Sequence, residues 1–251
     1  MPGGKQDGLQ ETLSSVSHTR GAVLYAPVVC RRLMLAAVAC ALLAAGWYLH
    51  RRIVHRAPAP IRTAWLKAHT PTGMVFVPAG WFRMGGGGAG DDSHREWTPA
   101  FYIDQYPVTN RQFSAFYRNF HYPKGQGDYP VTNVTWRQAT DYLKARGEAL
   151  PTEAEWEKAA RGTDGRVFPW GNSASHWLDT SVKRRAFQPV TKYPQPASPY
   201  GAHDMCGTVW QWVRDNRDNN PRQQIIRGGA AGYPRRNDTT FNRGIEGVGV
   251  T

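Results

Sequence analysis

The sequence predicts an α+β domain, loop-rich, with short strands and about three helices, preceded by a single transmembrane helix. Three observations predict it. An apolar run without a charged or amide side chain extends from Leu33 to Leu49. Three Thr-x-x-Gln/Glu capping boxes, at Thr109, Thr135 and Thr152, each precede a stretch of helical hydrophobic spacing. Beyond Gly162 no long period survives, and Gly, Pro, Asn and Asp punctuate short stretches rich in tryptophan. A chain of 251 residues is long enough for one large domain or two small ones. Ten Trp and eleven Tyr exclude a disordered polar chain. Three Cys, none in a zinc-ligand spacing, exclude a disulfide scaffold and a zinc module.

The elements follow in chain order. Residues 1–32 form a basic N-terminal segment, and residues 33–49 the transmembrane helix. Seventeen helical residues at about 1.5 Å each cover roughly 26 Å, the short end for a bilayer span. Arg31 and Arg32 precede the run and Arg51 and Arg52 follow it, with Trp47 and Tyr48 at one end as an interfacial belt. A buried helix or a signal peptide cut near Ala44–Gly46 are the alternatives. The charge counts on the two sides nearly balance, so orientation stays open. Cys30 and Cys40 read as inert thiols or acylation sites, and Ala37-Val38-Ala39-Cys40 is a poor lipobox. Residues 50–72 are basic, then Pro-rich, and read as a semi-rigid linker.

The net charge of +12 suggests nucleic acid or an anionic surface, but its distribution argues otherwise. The first 70 residues hold nine basic and two acidic side chains, more than half of the excess. The remainder has clusters at Lys183-Arg184-Arg185 and Arg235-Arg236 but no nucleic-acid motif, so no nucleic-acid partner is expected.

The domain proper occupies residues 73–251. Gly73–Gly80 is a strand ending in a turn, resumed by Trp81-Phe82-Arg83-Met84 and stopped by Gly85–Gly88. No Gly-Lys-Ser/Thr follows those glycines, and Asp91 and Asp92 do, so they form a loop rather than a phosphate cradle. Phe101–Tyr106 alternates as a half-buried strand. The first capped helix directs Phe113, Phe116, Tyr117 and Phe120 to one face. The second directs Ala139, Tyr142 and Leu143 inward and stops at Gly147; the third buries Trp156 and Ala159 and closes at Gly162. Tyr-Pro-Val-Thr-Asn occurs at 106–110 and again at 129–133, each copy feeding a helix.

These stretches resemble the sulfatase-modifying-factor family, that of the formylglycine-generating enzyme. The matching residues are Gly73–Gly80 with Met84-Gly85; Phe101-Tyr102-Ile103-Asp104 leading to Val108-Thr109-Asn110; Leu150–Glu157 with Ala159–Gly162; Pro169-Trp170-Gly171; Tyr200–Met205 running into Gly207, Trp210 and Trp212; and Arg227-Gly228-Gly229. They stand in the family's order over roughly residues 73 to 243. The resemblance implies an α+β domain related to the C-type lectin fold.

Activity transfers only residue by residue. The family's oxidases bind copper(I) through two cysteines shortly after a Gly-Gly-Ser segment and convert a substrate cysteine to formylglycine. Here that segment reads Arg227-Gly228-Gly229-Ala230, Ala230 replacing the serine. Tyr233 and Asp238 stand where the cysteines would be. Copper is therefore not expected, nor is formylglycine generation. Cys206, between Met205 and Gly207, reads as a packed thiol. A sulfoxide-forming branch uses three histidines and an extra helical bundle; His94, His121, His176 and His203 are scattered, and that bundle is absent. A further branch, resembling siderophore-maturation proteins, lacks the cysteines too. Structural calcium is implied through Asp204, Gly207, Val209 and Gln211, weakened because Gln211 replaces a Glu. A second calcium loop coincides with Lys183-Arg184-Arg185 and is expected to be lost. The closing strand of the family is either absent or improvised by Val248–Val250.

The resulting expectation is a membrane-anchored binding or assembly module for a membrane or periplasmic protein partner. Trp210, Trp212, Arg227, Tyr233, Arg235, Arg236, Asp238 and Arg243 are the candidate groove residues, Trp210 being the more core-like tryptophan. Localisation follows the resemblance: single-pass in the inner membrane, with the domain on the extracytoplasmic, periplasmic side. The alternative is an iron- or copper-dependent oxidoreductase acting without the cysteine pair, with Asp238 or His203 contributing.

Overall fold

The computed structural model describes residues 59–86, 92–173, 188–190, 197–230 and 239–247, together with Leu43. The chain divides into two compact units, Met1–Pro58 and Ala59–Thr251. The expected membrane run lies outside the described residues apart from Leu43, and among the described residues no helix is long and apolar enough to cross a membrane.

The second unit begins with a helix, α1 (Ala59–Ala68), where the sequence reading places extended linker. Its prolines explain the difference. Pro58 and Pro60 fall before and within the first turn, where a missing N–H removes no helical bond and a fixed φ suits the helix. The Tyr102 hydroxyl donates to the Leu66 carbonyl at 2.8 Å and holds α1 to the domain.

Four short strands follow: β1 (Met74–Val77), β2 (Gly80–Met84), β3 (His94–Thr98) and β4 (Phe101–Asp104). They form two antiparallel ribbons, β1 with β4 and β2 with β3. Three helices then start where the capping boxes predict: α2 (Asn110–Phe116), α3 (Trp136–Ala145) and α4 (Glu153–Arg161). In each, the threonine side chain accepts from the amide three residues on, and the Gln or Glu side chain there accepts from the threonine amide. The repeated pentapeptide has a structural role beyond feeding two helices. Its copies pair with one another, Asn110 N donating to Tyr129 O at 2.9 Å and Val131 N to Val108 O at 2.8 Å.

The third sheet runs β5 (Gln211–Asn216), β6 (Gln223–Arg227), β7 (Arg243–Gly247), all antiparallel. β7 is the last strand among the described residues; Val248–Val250, the expected site of an improvised closing strand, lie outside them. Val75, Val77, Trp156, Ala159, Ala160, Ala202, Met205, Val213 and Ile225 form the core, with α4 against β2 and β3 on one side and β5 and β6 on another. Gly162 ends α4 at φ +72, and a Cβ there would lie 2.9 Å from Pro199 Cγ, so only glycine fits.

α4 is the hub because its polar residues are also buried. Glu157 accepts from Arg161 at 2.7 Å, from the Gly85 amide at 2.7 Å and from Arg227 at 2.6 Å. Arg161 donates onward to the carbonyls of Gly85 and Gly165. The glycine run after β2 is therefore pinned at its first residue. Lys158 donates to Pro78 O, Gly80 O and Thr98 Oγ1 at 2.8, 2.8 and 2.9 Å, clamping the β2–β3 ribbon, and burial pushes its ammonium below the usual pKa.

Candidate functional site

A cavity of about 860 Å³ opens among β4, α3, β5 and the loops at 131–134, 147–151 and 203–210. Its walls are largely apolar and aromatic, with Phe101, Ile103, Val131, Tyr142, Leu143 and Trp212 among them. Two indoles fix the wall nearest β5. Trp212 Nε1 donates to Val134 O and Trp136 Nε1 to Val213 O, each at 2.9 Å, so strand and helix entry are cross-linked. Asp215 completes the frame by accepting from the Glu153 amide at 2.6 Å, a carboxylate on the positive end of α4.

The ionisable lining is acidic. Among the described residues, Asp104, Glu148, Glu155 and Glu246 face one guanidinium, Arg214, in a chain of net charge +12. Glu148 pairs with Arg146 at 2.8 and 3.0 Å. Glu155 serves the α4 capping box. Asp104 ends β4, and its carboxyl is pushed above the ordinary carboxylate value by burial and then by Glu148, with Arg146 opposing. The His203 ring stacks on Tyr106 with centroids 4.8 Å apart, and its buried Nδ1 has no hydrogen-bond partner. Both rings line the cavity.

The Asp104 shift gives a prediction with a definite sign. A carboxyl whose folded pKa lies above its unfolded value destabilises the fold at pH above both values, and stability returns as pH falls through the folded one. Asp104→Asn is expected to raise Tm at neutral pH, with the gain vanishing well below the ordinary carboxylate range. Thermal melts across pH check it; a gain that persists in acid would contradict the burial account.

Of the expected groove residues, Trp212 and Trp210 line this cavity, as does Ala230. Arg227 does not and is corrected: it is 1% exposed, bonded to Glu153, Glu157 and Thr240 O, with its guanidinium 5.2 Å over the Trp156 ring. It is a core cation, because two α4 carboxylates neutralise it. Arg243 is half-exposed but engaged by Glu153 through two nitrogens, so it too is tied to the hub. Tyr233, Arg235, Arg236 and Asp238 lie outside the described residues, as do His176 and Lys183–Arg185. Asp104, Tyr106 and His203 are among the lining groups that sequence reasoning did not assign to this groove.

The four expected calcium residues come together without fitting calcium. Gln211 Nε2 donates to Asp204 O and Gln211 Oε1 accepts from Trp156 Nε1, both at 2.8 Å. Asp204 Oδ1 accepts from Thr208 at 3.2 Å, and the Gly207 amide donates to Gly228 O at 2.7 Å. Calcium needs oxygens turned toward it; here an N–H donor meets the Asp204 carbonyl, and the amide oxygen is taken by an indole. Val209 stands in the same loop, buried. Among the described residues no group of three or more His, Cys, Asp or Glu side chains is placed to hold a metal. Cys206 is half-buried beside Met205.

Comparison with known proteins places this geometry. Residues 63–246 match the Sulfatase-modifying factor enzyme 1-like domain. The Bacillus subtilis protein YfmG is 27% identical over 57% of this chain and 41% of its own, so this chain spans less than half of that relative. The Bos taurus protein named inactive C-alpha-formylglycine-generating enzyme 2 is 31% identical, over 56% of this chain and 69% of that one. Among solved structures, Treponema denticola variable protein 1 superposes with a TM-score of 0.58 at 20% identity, covering 70% of this chain and 90% of that one, a likeness of fold. With the motif order, the three capped helices and the matched span of 63–246, the chain belongs to the sulfatase-modifying-factor (FGE-sulfatase) family.

Proposed function

We propose that this protein is a non-catalytic member of its family, a membrane-anchored binding module that holds a basic, partly apolar segment of a membrane or periplasmic protein in the groove beside Trp212. The observation that carries the reading is the lining of that groove: apolar and aromatic walls around four carboxylates and one guanidinium among the described residues. Aromatic faces and carboxylates together favour lysine or arginine side chains over neutral or acidic ones. The orphan His203 Nδ1 adds one polar group in want of a partner inside the wall. The absence of the copper cysteines at Tyr233 and Asp238, and the relative named inactive, support binding without formylglycine chemistry. Leu33–Leu49 supplies the anchor, with the domain on the extracytoplasmic side.

The test is titration of the full chain with three synthetic peptides of equal length, alternating leucine with arginine, glutamate or serine. The arginine peptide is expected to bind, and Asp104→Lys to weaken it by about tenfold or more, the loss typical of a close charge reversed at an interface. Equal affinity for the glutamate peptide, or indifference to Asp104→Lys, would sink the assignment.

A further inference from the structure

The β2–β3 ribbon has a face that neither the fold nor the groove uses. Alternation sends Phe82, Met84 and Thr98 inward, at 3, 8 and 2% exposure. It sends Trp81 and Trp97 outward, at 56 and 48%, with Arg83 and Arg95 beside them. The register places Trp81 directly opposite Trp97 and Arg83 opposite Arg95. The Arg95 guanidinium lies 5.2 Å over the Trp81 ring, and Arg83 donates to Ser93 Oγ at 2.7 Å. Like charges opposite each other on a ribbon destabilise it, and two solvated indoles contribute nothing to a core. Glu96 belongs to the other face, near His94 at 3.9 Å. Asp92, just before β3, has its Oδ1 engaged by the Gly86 amide. Lys158 clamps the base of the ribbon, so the face is held rigidly.

We infer that the Trp81–Trp97 face is a membrane-seating surface that lies on an anionic bilayer. Indoles settle at the headgroup level, and arginines beside them meet lipid phosphates while their stems stay in apolar surroundings. The tether supports this occupant over others. Residues 50–58, fully extended, reach no more than about 30 Å, so an anchored domain stays next to the lipid surface. In this respect the inference rests on the proposed anchor.

The experiment uses the full chain in vesicles of bromine-labelled phosphatidylcholine, with or without phosphatidylglycerol, reading tryptophan quenching. The inference puts Trp81 and Trp97 of the ribbon at the label, beside Trp47 of the proposed anchor. Trp81→Phe/Trp97→Phe is expected to lose a clear share of the bromine-dependent quenching in anionic vesicles that Trp65→Phe does not lose. Arg83→Gln/Arg95→Gln should reduce it to the level in zwitterionic vesicles. Thermal melts of these surface variants no lower than that of wild type exclude a folding defect. Quenching unchanged by the tryptophan pair overturns the seating surface, whereas quenching unchanged by Trp47→Phe overturns the anchor, so the two failures are told apart. An emission shift produced by poly-aspartate but not by phosphatidylglycerol assigns the face to an acidic protein and also overturns the inference.

Discussion

Glu157→Gln is expected to cost about 3–5 kcal/mol, the range for breaking a buried ion pair by removing one partner's charge. Glu157 is fully buried and holds Arg161, Arg227 and the Gly85 amide at once. Glutamine keeps the volume but turns one acceptor into a donor facing a guanidinium. Arg227 is then left with Glu153, which already serves Arg243, and Arg161 with backbone carbonyls alone. A cost of that size is a large share of the 5–15 kcal/mol that folds a typical domain. For a unit of this length it corresponds to a fall of roughly 6–20 °C in Tm. Glu155→Gln on the same helix is the control, since an amide oxygen can still accept from the Thr152 amide in the capping box. Thermal melts of both variants decide the point. Equal small shifts would show that the Glu157 charge contributes no more to stability than that of Glu155.

That hub also marks the limit of what the sequence discloses. The three helix starts are legible because a capping box needs only two residue types at a fixed spacing, and all three form as read. Core residues such as Trp156 and Phe113 are legible for the same reason, since helical periodicity is local. Arg227 is not. It reads as a surface cation beside two glycines, and its burial depends on Glu153 and Glu157, which lie 74 and 70 residues away in sequence. The groove is half legible. Trp210 and Trp212 follow from the motif, but Asp104 and His203 enter it from separate segments, joined by the His203 amide donating to Gln105 O at 2.8 Å. The repeated pentapeptide shows the same division, the repeat visible as text and its mutual pairing set by topology alone.

Trp156→Ala is expected to cost about 3–5 kcal/mol as a large-to-small change in the core, and Trp156→Phe separates that cost into its parts. The indole is 1% exposed, lies under the Arg227 guanidinium and donates to Gln211 Oε1 at 2.8 Å. Gly228, at φ +97, would place a Cβ 3.2 Å from Trp156 Cζ2, so its missing side chain is what admits the ring. Phenylalanine keeps most of the apolar contact and removes the N–H, leaving Gln211 with an unanswered acceptor worth about 1–3 kcal/mol. Gln211 holds the Asp204 carbonyl through its other end, so the loss passes into the 204–211 loop and from there into the cavity wall at Val209 and Trp210. Trp156→Phe should therefore lower Tm by a few degrees and also weaken the arginine-peptide binding measured for the groove. The same loop gives a further discriminating readout. With an amide and an indole closing it in place of an ion, millimolar calcium is expected to leave Tm of wild type and of Trp156→Phe unchanged. A ligand bound only by the folded state raises stability by mass action, so a clear calcium-dependent rise in wild-type Tm would mean that Gln211 turns its oxygen to a metal rather than to Trp156.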